Sequence, residues 1–407
     1  MTADDMMSGW PNGALRRAVM DRRRDRRRPR VLALGVALAA CAGALLLAPA
    51  MASAAPDPVY GIVTQDGELP PAQDMDLMHA GGVESMRLMA HWGTVEPSPG
   101  GRDWSSIDTL VRETTARGIQ PLLYLYGSPD WVGQMDGHQC APDCAIYPPA
   151  SKQTREAFAQ FARDAVARYG PGGDFWEPPA DDPSQPPPCQ CTFAQPVRVW
   201  QVWNEQNTPK YYAPTVNVRG YAKLVKAAGP AIKSVDPDAE VMLGGMWGPE
   251  SLKEGNKPPP VTIFTDYMKR FYRVKGIKKA FDSLAIHPYS ANISGMLKQM
   301  REARKVAKAN HDRKVRLWIT EIGWASGGPS DEPYVVGDVG QAEQLTKAYN
   351  KLYAKRAAFK LRGIYWYTWR DQPGGDAICA WCGHAGLRNV DGTPKPAWDA
   401  FVRLASG

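Results

Sequence analysis

Two glutamates stand at places where a chain could use them chemically. Asn204-Glu205 directly follows the run Val197-Arg-Val-Trp-Gln-Val-Trp203, and Glu321 closes a second run, Val315-Arg-Leu-Trp-Ile-Thr320. Both runs are rich in valine, isoleucine, leucine and tryptophan and free of glycine and proline, the pattern of buried β-strands with apolar side chains on both faces. An amide beside a carboxylic acid at a strand end can grip a sugar hydroxyl next to a proton donor. A second carboxyl facing it completes the pair needed to split a glycosidic bond: one acid protonates the leaving oxygen, the other meets the oxocarbenium-like centre. A further apolar run carries Arg87, and two more end in His287-Pro288-Tyr289 and reach Trp369. Taken singly, such residues are more often a turn cap, a surface ion pair, a satisfied core histidine or ordinary packing. Their arrival together on separate strands outweighs that plainer reading.

The elements that must bring them together can be counted. From Pro56 onward strand-like runs alternate with helix-like runs: strands at Tyr60 to Thr64, Ser85 to Ala90, Gln120 to Tyr126, Val197 to Trp203, Glu240 to Leu243, Phe281 to His287, Val315 to Glu321 and Gly363 to Trp369. Helices are expected around Ala72 to Ala80, Trp104 to Arg117, Ser151 to Tyr169, Val218 to Val235 with a kink at Pro230, Val261 to Val274, Ile293 to Ala309, Gly340 to Arg356 and Pro396 to Leu404. Eight β-α pairs with no strand left over define a (β/α)8 TIM barrel, in which the C-terminal strand ends carry the chemistry. An open doubly wound sheet would want a glycine-rich phosphate turn after its first strand, and Thr64-Gln65-Asp66-Gly67 is not one. The segment Gly170 to Pro196, dense in proline and aspartate, interrupts the rhythm as an insertion at the strands' N-terminal end.

Charge and cysteine usage bound the setting. Nine arginines against four aspartates in the first thirty residues carry five of the seven formal positive charges. The remainder is nearly neutral, which argues against a nucleic-acid partner. The apolar run from Val31 to about Ala55, ending Ala52-Ser53-Ala54, has the grammar of a secretory signal. Residues 1–55 are therefore read as signal or membrane anchor, residues 56–407 as the catalytic domain, and the protein as secreted. Leu38-Ala39-Ala40-Cys41 offers a lipoprotein alternative, and retention of the run as an anchor another. Six cysteines follow: Cys140, Cys144, Cys189, Cys191, Cys379 and Cys382. Disulfides are expected in an exported chain, with Cys140–Cys144 and Cys379–Cys382 the simplest pairs and Cys189–Cys191 closing a strained ring; the sharper alternative is a zinc site using Cys379-x-x-Cys382.

Trp203-Asn204-Glu205 and Ile319-Thr-Glu321-Ile-Gly-Trp324 resemble the acid/base and nucleophile motifs of clan A glycoside hydrolases, most closely families 5 and 39. The resemblance extends over essentially everything after the signal, including Trp92-Gly-Thr-Val-Glu-Pro97 and Lys395-Pro-Ala-Trp398. It implies a retaining double displacement without a cofactor or metal: Glu205 as acid/base, Glu321 as nucleophile, and Asn204 on the substrate 2-hydroxyl. Arg87, His287 and Tyr289 would support the nucleophile, and Trp369 would floor the subsite on the non-reducing side. The sequence departs from the pattern at Gln206, where the family usually carries proline, and near the end of the third strand, where family 5 commonly has a histidine and this chain has Tyr124, Tyr126 and Gly127-Ser128-Pro129.

From this reading, Arg87 should keep Glu321 ionised, and the charge of Glu321, with burial, should hold Glu205 protonated. A carboxyl separation of roughly 5 to 5.5 Å is expected for a retaining enzyme. Trp92, Tyr126, Trp131, Tyr211, Tyr212, Trp247 and Trp324 are candidate platforms for pyranose rings, Trp131 and Trp324 foremost; about half of them should be ordinary packing. Loops near Gln134 to Pro148 and Gln372 to His384 are expected as cleft walls. The expected partner is a β-linked poly- or oligosaccharide, handled by a monomer. A sugar-binding barrel without catalysis is the alternative class, although two facing acids serve no purpose in one. A metal-dependent barrel hydrolase lacks its H-x-H or H-x-x-x-H pair.

Overall fold

A computed structural model describes residues 57–64, 69–178, 184, 186–191, 194–248, 263–373 and 379–406. The signal or anchor segment, Cys41 and the Gln65-Asp66-Gly67 turn lie outside the described residues. The strands are β1 (Val59–Val63), β2 (Ser85–His91), β3 (Gln120–Tyr126), β4 (Val199–Val202), β5 (Glu240–Leu243, continued by Met246–Trp247), β6 (Ser283–His287), β7 (Arg316–Ile322) and β8 (Leu361–Tyr367). All pair in parallel with their sequence neighbours. Val59 to Val63 pairs with Gly363 to Tyr367, and Met242 with Ser283, so the sheet closes on itself as the count of alternations requires. The longer helices between strands are α1 (Ala72–Ala80), α2 (Ser105–Thr115), α3 (Lys152–Tyr169), α4 (Val218–Val235), α5 (Phe264–Tyr272), α6 (Ile293–Ala309), α7 (Gly337–Ala354) and α8 (Pro396–Ala405).

Two cores follow from the strand alternation. Outward side chains such as Met86, Leu88 and Ala90 of β2, or Trp200 and Val202 of β4, pack under the helices. Inward side chains Val63, Leu122, Met242, Ala285, Trp318 and Tyr365 fill the barrel itself. Two of these are large, and glycines on adjacent strands make room for them: a Cβ on Gly61 would lie 2.3 Å from the Tyr365 ring, and one on Gly363 2.5 Å from Trp318. Above this apolar plug the inward positions turn polar, with Arg87 on β2, Gln201 on β4, His287 on β6 and Thr320 on β7 all buried.

The strand expected over Val197 to Trp203 is shorter, because the backbone turns into the left-handed region at Trp203 (φ 71°) and again at Glu205 (φ 36°). Neither is a glycine, so each such residue costs about 1–3 kcal/mol unless neighbours over-determine it. They do: Trp203 N–H donates to the Leu125 carbonyl at 2.9 Å, its indole to the Tyr211 carbonyl at 2.7 Å, and Glu205 N–H to the Gly245 carbonyl at 2.9 Å. From below, the Tyr221 hydroxyl donates to the Val202 carbonyl at 2.8 Å and accepts from Gly244 N–H at 2.8 Å.

The six cysteines form three local disulfides, Cys140–Cys144, Cys189–Cys191 and Cys379–Cys382, which corrects the zinc alternative: no pair is left for a metal. The ring judged strained, Cys189-Gln-Cys191, forms as well, with Gln190 in the left-handed region at φ 51°. Near it the insertion before β4 is anchored by buried Phe175 and by Trp176, whose indole donates to the Tyr169 carbonyl at 3.0 Å.

Candidate active site

Glu321 is aimed by an irregularity in β7. Ile319 pairs with Ile364, but the next pair is Ile322 with Trp366, so β7 carries one residue more than β8 there. Such a bulge re-aims side chains near a strand's end, and here both Thr320 and Glu321 reach the polar layer at the barrel mouth. Arg87 Nη1 donates to Glu321 Oε1 at 2.7 Å, and Tyr289 O–H donates to Oε2 at 3.0 Å. The same guanidinium donates to Asn204 Oδ1 at 2.8 Å and to Gln201 Oε1 at 2.7 Å, and its plane lies 4.1 Å from the Tyr124 ring centroid. Arg87 thus ties β2, β3, β4 and β7 together at one level.

Glu205 approaches from β4. Its Oε1 is 2.8 Å from His287 Nδ1, which stands 3.4 Å from Glu321 Oε2; one oxygen of each glutamate and one nitrogen of His287 all lie within 4.8 Å of one another. The two acids expected to meet across a shared cavity do meet, and Arg87, Asn204, His287 and Tyr289 join them. The histidine, expected to serve the nucleophile, makes its shorter contact with Glu205. It is fully buried, and a Cβ on Gly245 would come within 1.9 Å of Nε2, so the glycine is what lets β5 close over the ring.

The electrostatics differ from expectation in one respect. Burial pushes the Glu321 carboxyl above its ordinary value of 4.5, and the ion pair with Arg87 and the hydrogen bonds from Tyr289 and Arg87 pull it back only in part. His287 is driven well below 6.5, by burial first and by the positive charge of Arg87 second, so the ring is neutral at physiological pH. Tyr289 is raised well above 10 by burial and the nearby charge of Glu321, which fixes it as an O–H donor. Among the described residues Glu205, His287 and Glu321 are the one trio with metal-type donor atoms this close. Arg87 already places a full positive charge 2.7 Å from Glu321, where a dication would have to sit.

The aromatic candidates divide. Trp92 is fully buried against Phe158, Phe161 and Trp131, with its indole donating to Glu96 Oε2 at 2.8 Å. Trp324 is fully buried against Trp366. Trp369 is 2% exposed, packs edge-on to Trp398 and donates to Asp74 Oδ2 at 2.8 Å. These three are placed as packing residues. Trp131 is half-buried, and its indole donates to the Glu96 carbonyl at 3.0 Å. Tyr126 and half-buried Tyr211 lie beside Glu205, whose charge raises both hydroxyls after burial does. A wall of rings packed together joins two expected residues, Trp247 and Tyr289, to three that were not singled out, Tyr334, Tyr367 and Trp381; Trp381 lies inside the Cys379–Cys382 disulfide loop, in the stretch expected as a cleft wall. Tyr367, the half-buried last residue of β8, packs on the Trp381 ring, whereas Trp369, two residues beyond the strand's end, turns away to Asp74; parity alone would put both on one face, so it is the end of the strand at Tyr367 that separates them.

The chain is a closed (β/α)8 barrel with paired acids at its C-terminal mouth, and it shares that fold with solved glycoside hydrolases. A family 39 glycoside hydrolase from Bacteroides cellulosilyticus WH2 superposes with a TM-score of 0.58 at 21% identity, covering 86% of this chain and 64% of its own. A monomeric beta-xylosidase from Caulobacter crescentus CB15 gives 0.58 at 20%, over 86% and 69%. The intracellular xylanase TsXylA from Thermoanaerobacterium saccharolyticum JW/SL-YS485 gives 0.57 at 13%, over 85% and 95%. This chain thus spans under two thirds of the length of the first of these. No family model matches the sequence, and no curated protein matches it.

Proposed function

We propose that the protein is a retaining β-glycoside hydrolase acting on an oligo- or polysaccharide, with Glu321 as nucleophile and Glu205 as acid/base. The observation that carries this reading is the approach of one oxygen of Glu205 and one of Glu321 to within 4.8 Å. That is far short of the ~6.5–9.5 Å needed to seat a water between two acids in an inverting enzyme. Glu205 protonates the glycosidic oxygen as Glu321 attacks the anomeric carbon; Glu205 then takes a proton from the water that releases the sugar. Once Glu321 is esterified its charge no longer opposes ionisation of Glu205, which eases the second role. Asn204 has its Oδ1 committed to Arg87, so its NH2 is oriented as a donor toward a substrate hydroxyl. Tyr367 is the proposed platform for the sugar on the non-reducing side, and Tyr211 and Trp247, both half-buried, flank it. The solved neighbours named above, a beta-xylosidase and a xylanase among them, make xylo-oligosaccharides the first substrates to try. Export across the membrane fits the three disulfides.

The test pairs two variants on aryl glycosides. Glu205→Gln should lose about 10²–10⁴-fold in turnover with poor leaving groups and much less with activated ones, the mark of a lost general acid. Glu321→Gly with azide should yield a glycosyl azide of inverted anomeric configuration. Undiminished hydrolysis by either variant would remove the assignment, and sugar binding without turnover in the unaltered protein would favour the non-catalytic barrel.

A further inference from the structure

The polar layer under the two glutamates is a hydrogen-bond relay that runs in one direction. A guanidinium has five donors and no acceptor, so Arg87 Nε, 2.7 Å from Gln201 Oε1, must donate. That contact, with the Leu243 carbonyl 3.2 Å from Nε2, fixes which way the Gln201 amide faces. Its NH2 then points at Thr320 Oγ1, 3.4 Å away, and can only donate there. Thr320 has one hydroxyl proton, and among the described residues His287 Nε2, at 3.0 Å, is the one acceptor in its reach, the Gln201 NH2 being a donor; the proton is therefore assigned to Nε2. A neutral imidazole carries one proton, so it resides on Nδ1, 2.8 Å from Glu205 Oε1. The charged and titratable groups facing the ring are Glu205, Glu321 at 3.4 Å, Arg87 and Tyr289, and both glutamates can accept from Nδ1–H.

We propose that Gln201 and Thr320 are positioning residues for Glu205: they hold His287 as the Nδ1–H tautomer, so Oε1 of Glu205 is always an acceptor and the transferable proton resides on Oε2. This rests on the reading of Glu205 as acid/base. In the first step the Oε2–H bond breaks as the proton joins the leaving oxygen, which takes the electron pair of the glycosidic C–O bond. In the second step the proton of the attacking water returns to Oε2 as its oxygen bonds the anomeric carbon and the ester bond to Glu321 breaks. His287 neither gains nor loses a proton in either step. With the opposite tautomer, Nδ1 would accept from Glu205 and sequester the proton that the leaving group needs. The relay also accounts for a buried glutamine at the centre of an otherwise apolar strand.

The deciding measurement is the long-range ¹H–¹⁵N spectrum of the full chain with ¹⁵N-labelled histidine, the His287 signals being those that vanish in His287→Gln. The expected result at neutral pH is a protonated Nδ1 and a bare Nε2. A protonated Nε2, or an imidazolium, overturns the proposal. The functional arm compares Thr320→Val with Thr320→Ser on an aryl glycoside with a poor leaving group. Valine, which cannot donate, should erode the tautomer preference, lower kcat about tenfold with KM within about twofold, and raise the alkaline limb of kcat/KM. Serine should restore all three. Valine behaving as the unaltered protein, or serine as impaired as valine, overturns it too. The spectrum is read without substrate, so its failure is distinct from failure of the hydrolase reading, which Glu205→Gln tests.

Discussion

The barrel holds two buried ion pairs built to the same plan and put to different ends. At the mouth, Arg87 meets Glu321 at 2.7 Å with side-chain exposures of 1% and 12%; beside the loop after β8, Lys395 meets Asp371 at 2.6 Å with exposures of 1% and 7%. In both pairs burial pushes the carboxyl above its ordinary value even though a cation touches it. The surroundings separate them. Asp371 Oδ1 accepts from Gly386 N–H at 2.8 Å, and Lys395 also donates to Ser326 Oγ and the His384 carbonyl, so this pair closes a knot between three loops. Glu321 instead shares its neighbourhood with a second acid, linked to it through His287. A buried carboxylate with a raised pKa and a cationic partner is therefore not enough to mark a reactive site. What sets the mouth apart is a second carboxyl, with one oxygen of each glutamate and a nitrogen of the shared His287 all within 4.8 Å of one another.

The contrast predicts opposite outcomes for two isosteric changes. Glu321→Gln should reduce hydrolysis by more than about 10⁴-fold, since it removes the proposed nucleophile. Asp371→Asn should leave turnover per folded molecule within about twofold but cost about 3–5 kcal/mol in urea unfolding, because Lys395 is left buried and uncompensated. Folded Asp371→Asn protein without activity would break the comparison and place the knot in the site.

The same distinction governs what the chain revealed of itself. The barrel was legible because each strand and helix carries its own period; α4 (Val218–Val235) and α6 (Ile293–Ala309) begin and end where the pattern places them. The paired acids were legible because strand ends in such a barrel converge by topology alone. Trp369 and Tyr367 were not separable by that argument: two residues apart, they would share a face in a regular strand, and only the end of β8 at Tyr367 lets Trp369 turn to Asp74 while Tyr367 joins the rings of Tyr289 and Trp381. Gln201 passed as one more member of a buried strand, since nothing local distinguishes a glutamine that faces the barrel axis from one that faces a helix. Tyr334 and Trp381 were not singled out for a different reason: although the loop of Trp381 was expected as a cleft wall, both rings lie in loops without a period, and it is their packing on one another that brings them together.

The two pairs also titrate differently because only the mouth carries a fully buried histidine. The folded pKa of His287 lies well below 6.5, so below that pH the unfolded chain binds a proton that the folded chain does not. Its contribution to stability is complete above the unfolded value and is lost as pH falls. Between pH 7 and pH 5 the loss from this group amounts to about 2 kcal/mol. Urea midpoints of the unaltered protein and His287→Gln at both pH values should show the variant losing less stability on acidification by that amount; equal losses would mean that the ring is solvated when folded. Raised carboxyls such as Glu321 act with the opposite sign, gaining stability as pH falls through their folded pKa, which is why the difference between the proteins, not the absolute slope, is the quantity to read.

The smallest effect isolates what the mouth pair has and the knot lacks, a neutral hydroxyl donating to the carboxylate. Tyr289 O–H to Glu321 Oε2, at 3.0 Å, favours the ionised form of the proposed nucleophile. Attack requires that form, so the acid limb of kcat/KM reports Glu321 in the free enzyme and should lie above the ordinary 4.5. Tyr289→Phe removes a hydrogen bond to a charged group, an interaction of about 1.5 kcal/mol, so the limb should move up by about one pH unit. Well above that limb kcat should change much less than it does within it. A limb that stays put, or one that moves down, would mean that Arg87 alone governs the charge of Glu321 and that the tyrosine only shapes the wall, as Trp381 and Tyr334 do around it.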